Sequence, residues 1–345
     1  MESFSSATSS RSVRMALKAL VARGLVRAGR RPSAALAALD ARQPVGPADF
    51  SDSFYFTAAS RSPDAPLAFY ARLGFRPTCT ETWFGLWTPE LGLLELERDE
   101  GLATSGLSAS GLEFDCLKPG ESWRVAFDGP LRSPDGAIHS ARLEARFDAV
   151  GPLYDFEDGT PPSLVARSLS MEPWSRRFFE ELRGLHQAHL EQLGRCEVAL
   201  TLGGRERRVT LHGVRDHSFG PRRWRDIRAH AWLSASLDDG SAFNVTLVRM
   251  AHLRHILRGY VFRDGRLSPV TDAPTLDVLW RHGTPPSRYP LWFVAGGRRY
   301  EGEVQLEASH RYLLGEGALA FHEGFAHFTL GSASGRGISE FSFSA

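Results

Sequence analysis

The feature that most constrains the fold is a strict alternation of apolar and charged residues over residues 141–148, which read Ala-Arg-Leu-Glu-Ala-Arg-Phe-Asp. Successive side chains of a β-strand point to opposite faces, so this period of two places one face in a core and the other in water. The same alternation recurs from Trp123 to Phe127. The next two residues, Asp128-Gly129, are a dipeptide typical of turns. The sequence therefore predicts antiparallel strands joined by tight turns.

Four further segments have the pattern of a β-hairpin, in which two apolar strands flank a short turn that contains Gly, Asp or Pro. They span residues 82–97, 197–211, 232–248 and 260–267. Many short strands with such turns are typical of antiparallel barrels and sandwiches. We therefore predict an all-β fold.

One segment near the middle of the chain interrupts the β pattern. Between Glu172 and Leu190, apolar residues recur at helical spacing, and Pro173 lies early, where a helix tolerates proline. A chain of 345 residues fits two domains of roughly 100–200 residues each. We therefore predict that this short helix joins a first domain over residues 49–180 to a second over residues 190–345.

The first 48 residues differ in composition from the rest of the chain. Residues 11–31 contain seven Lys or Arg residues and no acid, with apolar residues at helical spacing. This composition fits a mitochondrial targeting peptide, an amphipathic helix in peripheral contact with acidic lipid, or an N-terminal helix that caps the fold. All three alternatives stay open at this point.

The cysteine count and the hydropathy pattern bear on location. An odd number of cysteines, three in this long chain, argues against a disulfide framework and favours a reducing compartment. No apolar run reaches the roughly 18–20 residues of a membrane-spanning helix, so no transmembrane segment is predicted. We expect a cytoplasmic protein, or a mitochondrial one if the basic segment is a targeting peptide.

The charge balance and the absence of phosphate-binding motifs exclude several function classes. Lys+Arg number 41 and Asp+Glu 40, so the chain lacks the basic excess with which nucleic-acid binders displace counterions. The Arg-rich groups at residues 205–208 and 222–225 are interrupted or followed by acids. The sequence has neither a dinucleotide-binding glycine fingerprint nor a Walker loop. We predict no nucleic-acid partner, no nucleotide-dependent activity and no cofactor.

Histidine pairs are the only candidates for a metal site. Two pairs, His186 with His189 and His252 with His255, have three-residue spacing but no evident third ligand nearby. In the segment 322–327, the two histidines are five residues apart rather than the four of a metalloprotease helix. No metal site is predicted.

The densest group of chemically active side chains lies at residues 213–224, Gly-Val-Arg-Asp-His-Ser-Phe-Gly-Pro-Arg-Arg-Trp. Asp216 and His217 can act together only if the backbone turns them to one side, because neighbours on a flat strand point to opposite faces. The flanking Gly and Pro residues allow such a turn, and the pair would then form a proton donor in an apolar pocket. In the structural alternative, Arg215 and Asp216 are a buried, paired couple and His217 caps a turn.

This segment resembles the signature of the lipocalin-like superfamily that includes carotenoid hydratases and bacterial AttH-type proteins. It is most similar to uncharacterised two-domain members with an Arg-Asp-His-Ser-Trp-Gly motif, some of which are fused in animals to phosphoenolpyruvate-synthase-like enzymes. Weaker similarity extends over residues 53–56, 111–123 and 335–340. The resemblance implies two lipocalin-like antiparallel β-barrels side by side, which we expect to carry the N-terminal helix and the short inter-domain helix.

For the hydratase branch, the resemblance implies that the motif His and an acid on the next strand protonate an isoprenoid double bond, to which water then adds. The matching His is His217, with Asp216 as the second catalytic candidate. One departure is Phe219, which stands where the motif usually has Trp. A second is Ala231, which stands before Trp232 where hydratases tend to have Asp.

The remaining residues of the motif have expected roles as well. The candidates for contact with an apolar ligand are Phe219, Trp224 and Trp232. The residues expected to shape the motif are Arg215, Ser218, Gly220 and Arg222. If a second carboxylate is needed, we expect it to enter from a distant strand, as Glu323 or Glu340.

Three functions stay open. In the first, the protein binds an apolar small molecule such as a lipid or isoprenoid in a barrel cavity, since a small closed barrel holds one such ligand. In the second, it is a hydro-lyase or isomerase that uses acid–base chemistry at Asp216 and His217. In the third, it is a protein-interaction module like the domains fused to phosphoenolpyruvate-synthase-like enzymes. The missing acid at Ala231 favours binding, and whether the chain is an enzyme is left open.

Overall fold

The structure is a computed structural model of the chain. It describes residues 17–22, 36–44, 46–61, 66–96, 99–102, 106–183, 187–277 and 284–344. These residues form two antiparallel β-structures connected by a few short helices, so the predicted all-β fold class is confirmed. The segment at residues 141–148 lies within one strand, whose buried and exposed side chains alternate as expected.

The first sheet contains twelve strands. They are β1 (Phe50–Ala59), β2 (Ala68–Phe75), β3 (Cys79–Thr88), β4 (Gly92–Glu95), β5 (Asp99–Leu102), β6 (Ser108–Ala109), β7 (Leu112–Lys118), β8 (Ser122–Arg132), β9 (Ile138–Ala149), β10 (Tyr154–Asp155), β11 (Ala188–Leu202) and β12 (Arg205–Pro221). The order β8-β9-β11-β12-β1-β2-β3-β4 forms a ring that closes where Glu95 pairs with Arg132. Phe54, Phe56 and Trp123 belong to the apolar core of this sheet.

The second sheet is a closed eight-stranded barrel. Its strands are β13 (Ile227–Leu237), β14 (Ala242–Met250), β15 (Ile256–Arg263), β16 (Arg266–Asp272), β17 (Arg288–Ala295), β18 (Arg298–Leu314), β19 (Leu319–Leu330) and β20 (Ala333–Ser344). Leu233, Val245, Phe293 and Phe328 are among the side chains packed in its core. The two curved sheets agree with the two-barrel architecture that the resemblance implies.

Short helices connect the strands. They are α1 (Leu36–Leu39), α2 (Phe156–Gly159), α3 (Pro162–Ser170) and α4 (Arg176–Arg183), with 3-10 turns at Trp224–Asp226 and Pro274–Asp277. The helix predicted between Glu172 and Leu190 is present as α4 but ends earlier, because from Ala188 onward the chain is strand β11 and pairs with β12. Within the described residues, no helix has the length and apolar composition needed to cross a bilayer.

All four predicted hairpins are present, as β3–β4, β11–β12, β13–β14 and β15–β16. The turn expected at Asp128-Gly129 is wrong. Both residues lie inside β8, where Asp128 pairs with Arg142 and Gly129 with Ala141. Pairing with a neighbouring strand overrides the local turn preference of the dipeptide.

The chain changes sheet later than expected. Strands β11 and β12, which fall within the second predicted domain at residues 190–345, join the first sheet through β9 and β1. The closed barrel begins only at Ile227. Helix α4 therefore precedes a hairpin of the first sheet instead of joining the two sheets. The division of the chain into two domains stays a prediction.

Part of the basic N-terminal segment is described. Residues 17–22 are helical, and Ala22 is buried in an apolar cluster with residues of α3 and α4. Lys18 Nζ donates a hydrogen bond of 2.8 Å to a backbone carbonyl between those two helices. This contact matches the alternative in which the segment caps the fold. The remainder of the predicted segment, residues 1–16 and 23–35, lies outside the described residues.

Candidate active site between the two sheets

Strand β12 carries the motif, and its alternation divides the motif between two environments. Arg215 and His217 face the core of the first sheet, whereas Asp216 and Ser218 face the second sheet. The strand pairs without interruption with both β1 and β11 along this stretch. The backbone therefore does not turn Asp216 and His217 to one side, and the strand separates the two predicted catalytic residues.

His217 is fully buried and has partners on both ring nitrogens. Nδ1 lies 2.7 Å from the carbonyl oxygen of Leu39, and Nε2 lies 2.7 Å from Oδ1 of Asp52. The ring stacks on Phe54 with 3.9 Å between centroids, and Phe219 packs against it at 5.0 Å. With both nitrogens engaged, His217 has none left to contact a ligand.

Arg215 is held in the same core. One guanidinium nitrogen lies 2.8 Å from Oδ1 of Asp40, and Nε donates to Oε1 of Gln192 at 2.9 Å. The guanidinium also lies over the ring of Trp123, 5.6 Å from its centroid. Arg215 and Asp216 are thus each paired, but not with each other, because adjacent side chains of a strand diverge. The contact between Arg215 and Asp40, the residue after α1, links this part of the chain to the first sheet.

The other face of β12 borders a buried layer between the two sheets, in which carboxyl and imidazole groups are concentrated. Asp216 Oδ2 lies 3.1 Å from Nε2 of His189 on β11, and the same nitrogen lies 2.9 Å from Oε1 of Glu191. From the second sheet, His230 on β13 contributes Nδ1, which lies 2.9 Å from Oε1 of Glu340 on β20. We call these five residues the interlayer cluster.

Glu323 on β19 extends the interlayer cluster toward β1. Its Oε1 accepts a hydrogen bond of 2.6 Å from the hydroxyl of Tyr55, and its carboxyl group interacts with that of Glu340. Oε2 of Glu323 is buried and has no hydrogen-bond donor. A protonated Glu340 would donate a hydrogen bond to it. Two buried carboxyl groups in contact do not both ionise easily.

The acids and bases of this layer have pKa values shifted in opposite directions. Burial, together with the charge of Asp216, raises the pKa of Glu340 to about 8, and burial and Glu340 raise the pKa of Glu323 well above its usual range. Burial lowers the pKa of His189 and of His230 to about 4. At neutral pH the layer therefore holds protonated carboxyl groups beside neutral imidazoles, a combination found at acid–base sites.

All members of the interlayer cluster except Glu191 are partly exposed to solvent. The side chains of His189 and His230 are 25% and 20% exposed, and those of Asp216 and Glu340 are each 11% exposed. His217, by contrast, is 0% exposed. A small molecule that enters between the sheets would therefore meet the interlayer cluster and not His217.

Glu191 is the member of the interlayer cluster with the most hydrogen-bond donors. Its Oε1 accepts from Trp232 Nε1 at 2.6 Å and from Asn244 at 3.1 Å, and its Oε2 accepts from the hydroxyl of Tyr260 at 2.9 Å. The ligand atoms of His189, Glu191 and Asp216 lie within 4.8 Å of one another, as a metal site requires. Because Oε1 of Glu191 already accepts from Trp232 and Asn244, the arrangement fits a hydrogen-bonded carboxyl group better than a metal ligand.

Four other predicted residues lie beside this layer. Arg222, whose pKa burial lowers to about 10, donates to Oγ of Ser218 at 2.8 Å. Trp224 is buried in the 3-10 turn at Trp224–Asp226. The guanidinium of Arg222 lies over its indole ring, 5.2 Å from the ring centroid. Gly220 has φ of +130°, a backbone conformation that favours glycine.

The structure thus brings together Asp216, Ser218, Arg222, Trp224 and Trp232 from the predicted set. It places Arg215, His217 and Phe219 on the other side of β12.

Sequence reasoning missed three members of the interlayer cluster as acid–base candidates, namely His189, Glu191 and His230. The sequence predicts a helix at His189, whereas the structure places this residue on β11, beside β12. His230 lies two residues before Trp232 on one strand, so the period of two places both side chains on the same face. That spacing was a usable signal. Glu323 and Glu340, which the sequence suggested as carboxylates from distant strands, do lie in this layer.

Solved structures of similar fold support the architecture. A candidate AttH from Nitrosomonas europaea has 15% sequence identity and a TM-score of 0.54, with 92% of this chain and 98% of that chain covered. Kievitone hydratase from Nectria haematococca has 12% identity and a TM-score of 0.53, with 85% and 89% covered. CghA has 13% identity and a TM-score of 0.53, with 86% and 88% covered.

At such identities the similarity shows the fold alone. No curated protein sequence is a significant match for this chain. The family described as a domain of unknown function, DUF7064, matches residues 37–345. Since this match covers most of the sequence, the chain belongs to the DUF7064 family.

Proposed function

We propose that this protein is an acid–base enzyme that adds water to a carbon–carbon double bond of an apolar small molecule, or removes water in the reverse direction. The observation that carries the proposal is the interlayer cluster, where Glu340 keeps its proton and the imidazoles stay neutral at neutral pH. A proton donor and a base that are both ready at the same pH are what general acid–base catalysis needs.

Glu340 is the proposed proton donor, held by His230 at 2.9 Å. Its proton adds to one carbon of the double bond, and a water molecule attacks the other carbon. Nε2 of His189 lies 3.1 Å from Oδ2 of Asp216, so we assign the hydrogen to this nitrogen, and Nδ1 is the base that takes the proton lost by water. One water is consumed, and the cycle is complete when His189 releases its proton to solvent and Glu340 takes one up from solvent.

Aromatic side chains supply the apolar surroundings that this chemistry requires. The rings of Tyr55 and Trp232 pack edge to face at 5.8 Å between the sheets, and Trp224 is buried nearby. Exclusion of bulk water strengthens the electrostatic interactions of the acid and protects a cationic intermediate. We propose Trp224 and Trp232 as ligand contacts, and an isoprenoid or similar apolar alkene as the substrate.

The fold neighbours favour hydration over simple binding, since one of them is named a hydratase. Binding in a barrel cavity remains the second candidate. The core side chains of the second barrel, among them Leu233, Val245 and Phe293, pack against one another. This packing reduces the space for a bound ligand inside that barrel.

The test is a panel of isoprenoid and aryl alkenes incubated with the full chain in D2O and followed by mass spectrometry. Hydration adds the mass of one water and leaves one deuterium bound to carbon. Glu340→Gln should lower the rate by roughly 10²–10⁴, the usual contribution of a general acid. His217→Phe, the matched control on the other face of β12, should keep turnover in the folded fraction.

Two outcomes would contradict the proposal. One is full activity of Glu340→Gln together with loss of activity in a folded His217→Phe protein, which would return the chemistry to the Asp-His motif. The other is an apolar molecule that co-purifies in native mass spectrometry and leaves the protein unchanged, with no alkene in the panel hydrated. That result would favour the binding function.

A further inference from the structure

A groove at the hairpin end of the second barrel lies outside the interlayer cluster. It has a volume of about 520 Å³, within the range of small-ligand pockets. The polar residues that line it are three arginines, one acid and two hydroxyl residues: Arg263, Arg266, Arg298, Asp264, Ser268 and Tyr300. None of these residues takes part in the proposed acid–base chemistry, so the groove is separate from the proposed active site.

The groove opens where β16 and β17 separate. These strands pair only at Val270 with Ala295 and at Asp272 with Val294, so the part of β16 nearer its hairpin has no partner on β17. Gly296 lies in the following turn with φ of +56°, and a Cβ on it would approach Ser268 to 3.0 Å. A glycine at this position therefore keeps the two hairpins from colliding and leaves space between them.

The charges around the groove are not balanced. Arg263 has acidic neighbours, with Asp239 at 3.6 Å and Asp264 at 3.9 Å. Arg266 and Arg298 are exposed and form no ion pair within 4 Å in the part of the chain that the structure describes, although the charge of Arg298, like that of Arg263, lowers the pKa of Asp239. They extend from two facing hairpins, β15–β16 and β17–β18, so both guanidinium groups border the same space.

The chemistry of the lining selects a class of ligand. Guanidinium groups bind the paired oxygens of carboxylate and phosphate groups, and Ser268 and Tyr300 add hydroxyl donors. The Arg298 guanidinium lies over the ring of Tyr300, 5.2 Å from its centroid, which holds this charge at the groove. An anion with one phosphate or carboxylate group would satisfy these donors.

We propose that this groove binds a small organic anion, with Arg266 and Arg298 holding its phosphate or carboxylate group. The site is distinct from the interlayer cluster, and its existence does not depend on the hydration proposed above.

Isothermal titration calorimetry of the full chain with phenyl phosphate and with benzoate tests the proposal. At low salt we expect one site, with affinity that falls as salt screens the charges. The double variant Arg266→Ala/Arg298→Ala should bind at least roughly tenfold more weakly, because the anion loses its charge-assisted hydrogen bonds from both guanidinium groups. The matched control, Arg205→Ala/Arg208→Ala at the exposed β11–β12 hairpin, removes the same charge and should bind like the wild type.

The outcomes separate a built site from general attraction. Tighter binding of phenyl phosphate assigns a phosphate-bearing ligand, and tighter binding of benzoate assigns a carboxylate-bearing one; both support the site if the control variant is unaffected. Equal weakening in the two double variants would show non-specific attraction to a basic surface and overturn the proposal. Absence of binding for both probes at millimolar concentration would overturn it as well.

Discussion

The two faces of strand β12 bury similar residues with different results. On the face toward the first sheet, Arg215 pairs with Asp40, and His217 has an acceptor on each nitrogen. On the face toward the second sheet, Asp216 and Glu191 share a single nitrogen of His189. Both faces are polar and buried, but only the first has a separate partner for each group.

The difference shows how burial serves either stability or chemistry. A buried charge with matched partners holds the chain in place, and removal of one partner leaves the other uncompensated. Groups that share partners and reach solvent keep shifted pKa values and exchangeable protons, which is the state that catalysis uses. The mutations and conditions below should affect the two faces differently.

The largest effect is expected at the ion pair of the first face. Arg215→Ala should destabilise the protein by about 3–5 kcal/mol, because it leaves the carboxylate of Asp40 buried without its partner. Urea denaturation measures the free energy of unfolding. Arg205→Ala, an exposed arginine of the same strand, is the control and should change stability little. If Arg215→Ala is as stable as Arg205→Ala, the ion pair between Arg215 and Asp40 contributes nothing to the free energy of unfolding.

A somewhat smaller loss is expected for His217→Ala. The change removes a ring stacked on Phe54 and leaves the Leu39 carbonyl and Asp52 without their donor, a combined cost of about 2–4 kcal/mol. His217→Phe, which keeps a ring in place, should recover part of that loss. If both variants unfold at the wild-type urea concentration, His217 is not the structural residue that its contacts indicate.

On the second face, stability should depend on pH. Glu340 and Glu191 have pKa values of about 8 in the fold against an ordinary 4.5, so the folded state binds more protons and stability is lost as pH rises through this window. His189 and His230, at about 4 against 6.5, act in the opposite sense, and their contribution is lost as pH falls through that range. Between about pH 4.5 and 6.5 the two opposite contributions largely cancel, so the net loss of stability should begin as pH rises above about 6.5.

Between pH 6.5 and 8 the decline should be at most about 1.4 kcal/mol per pH unit for each carboxyl group. Glu340→Gln removes one of these groups and should flatten the slope, as urea denaturation at a series of pH values will measure. Glu303→Gln, which changes an exposed carboxylate paired with Arg288, is the control and should leave the alkaline slope as it is. An unchanged slope in the Glu340 variant would contradict the raised pKa.

The smallest effect is expected at Ser218. Ser218→Ala removes one hydrogen bond from Arg222 and should cost about 1 kcal/mol, because it replaces a single neutral acceptor. Thermal unfolding of this variant beside Arg215→Ala compares the two faces directly. A loss at Ser218 as large as that at Arg215 would show that the second face is as rigidly paired as the first.

Local sequence determined the strands and hairpins. The alternation at residues 141–148 and the turns of the four hairpins act over a few residues, so their outcome does not depend on the rest of the chain. Where local preference and pairing disagreed, pairing prevailed. Asp128-Gly129 became strand in β8, and the segment after α4 became strand β11, because each gained a full ladder of hydrogen bonds with a neighbour.

The motif at residues 213–224 drew attention to the right strand, and the alternation of a strand already predicts that Asp216 and His217 diverge unless the backbone turns. Only the tertiary structure decided that it does not turn. The partners on each face come from distant parts of the sequence: Asp40 and Asp52 on one side, His189 and Glu340 on the other. Burial and charge at such contacts set the pKa values, and both arise only when the two sheets close on each other.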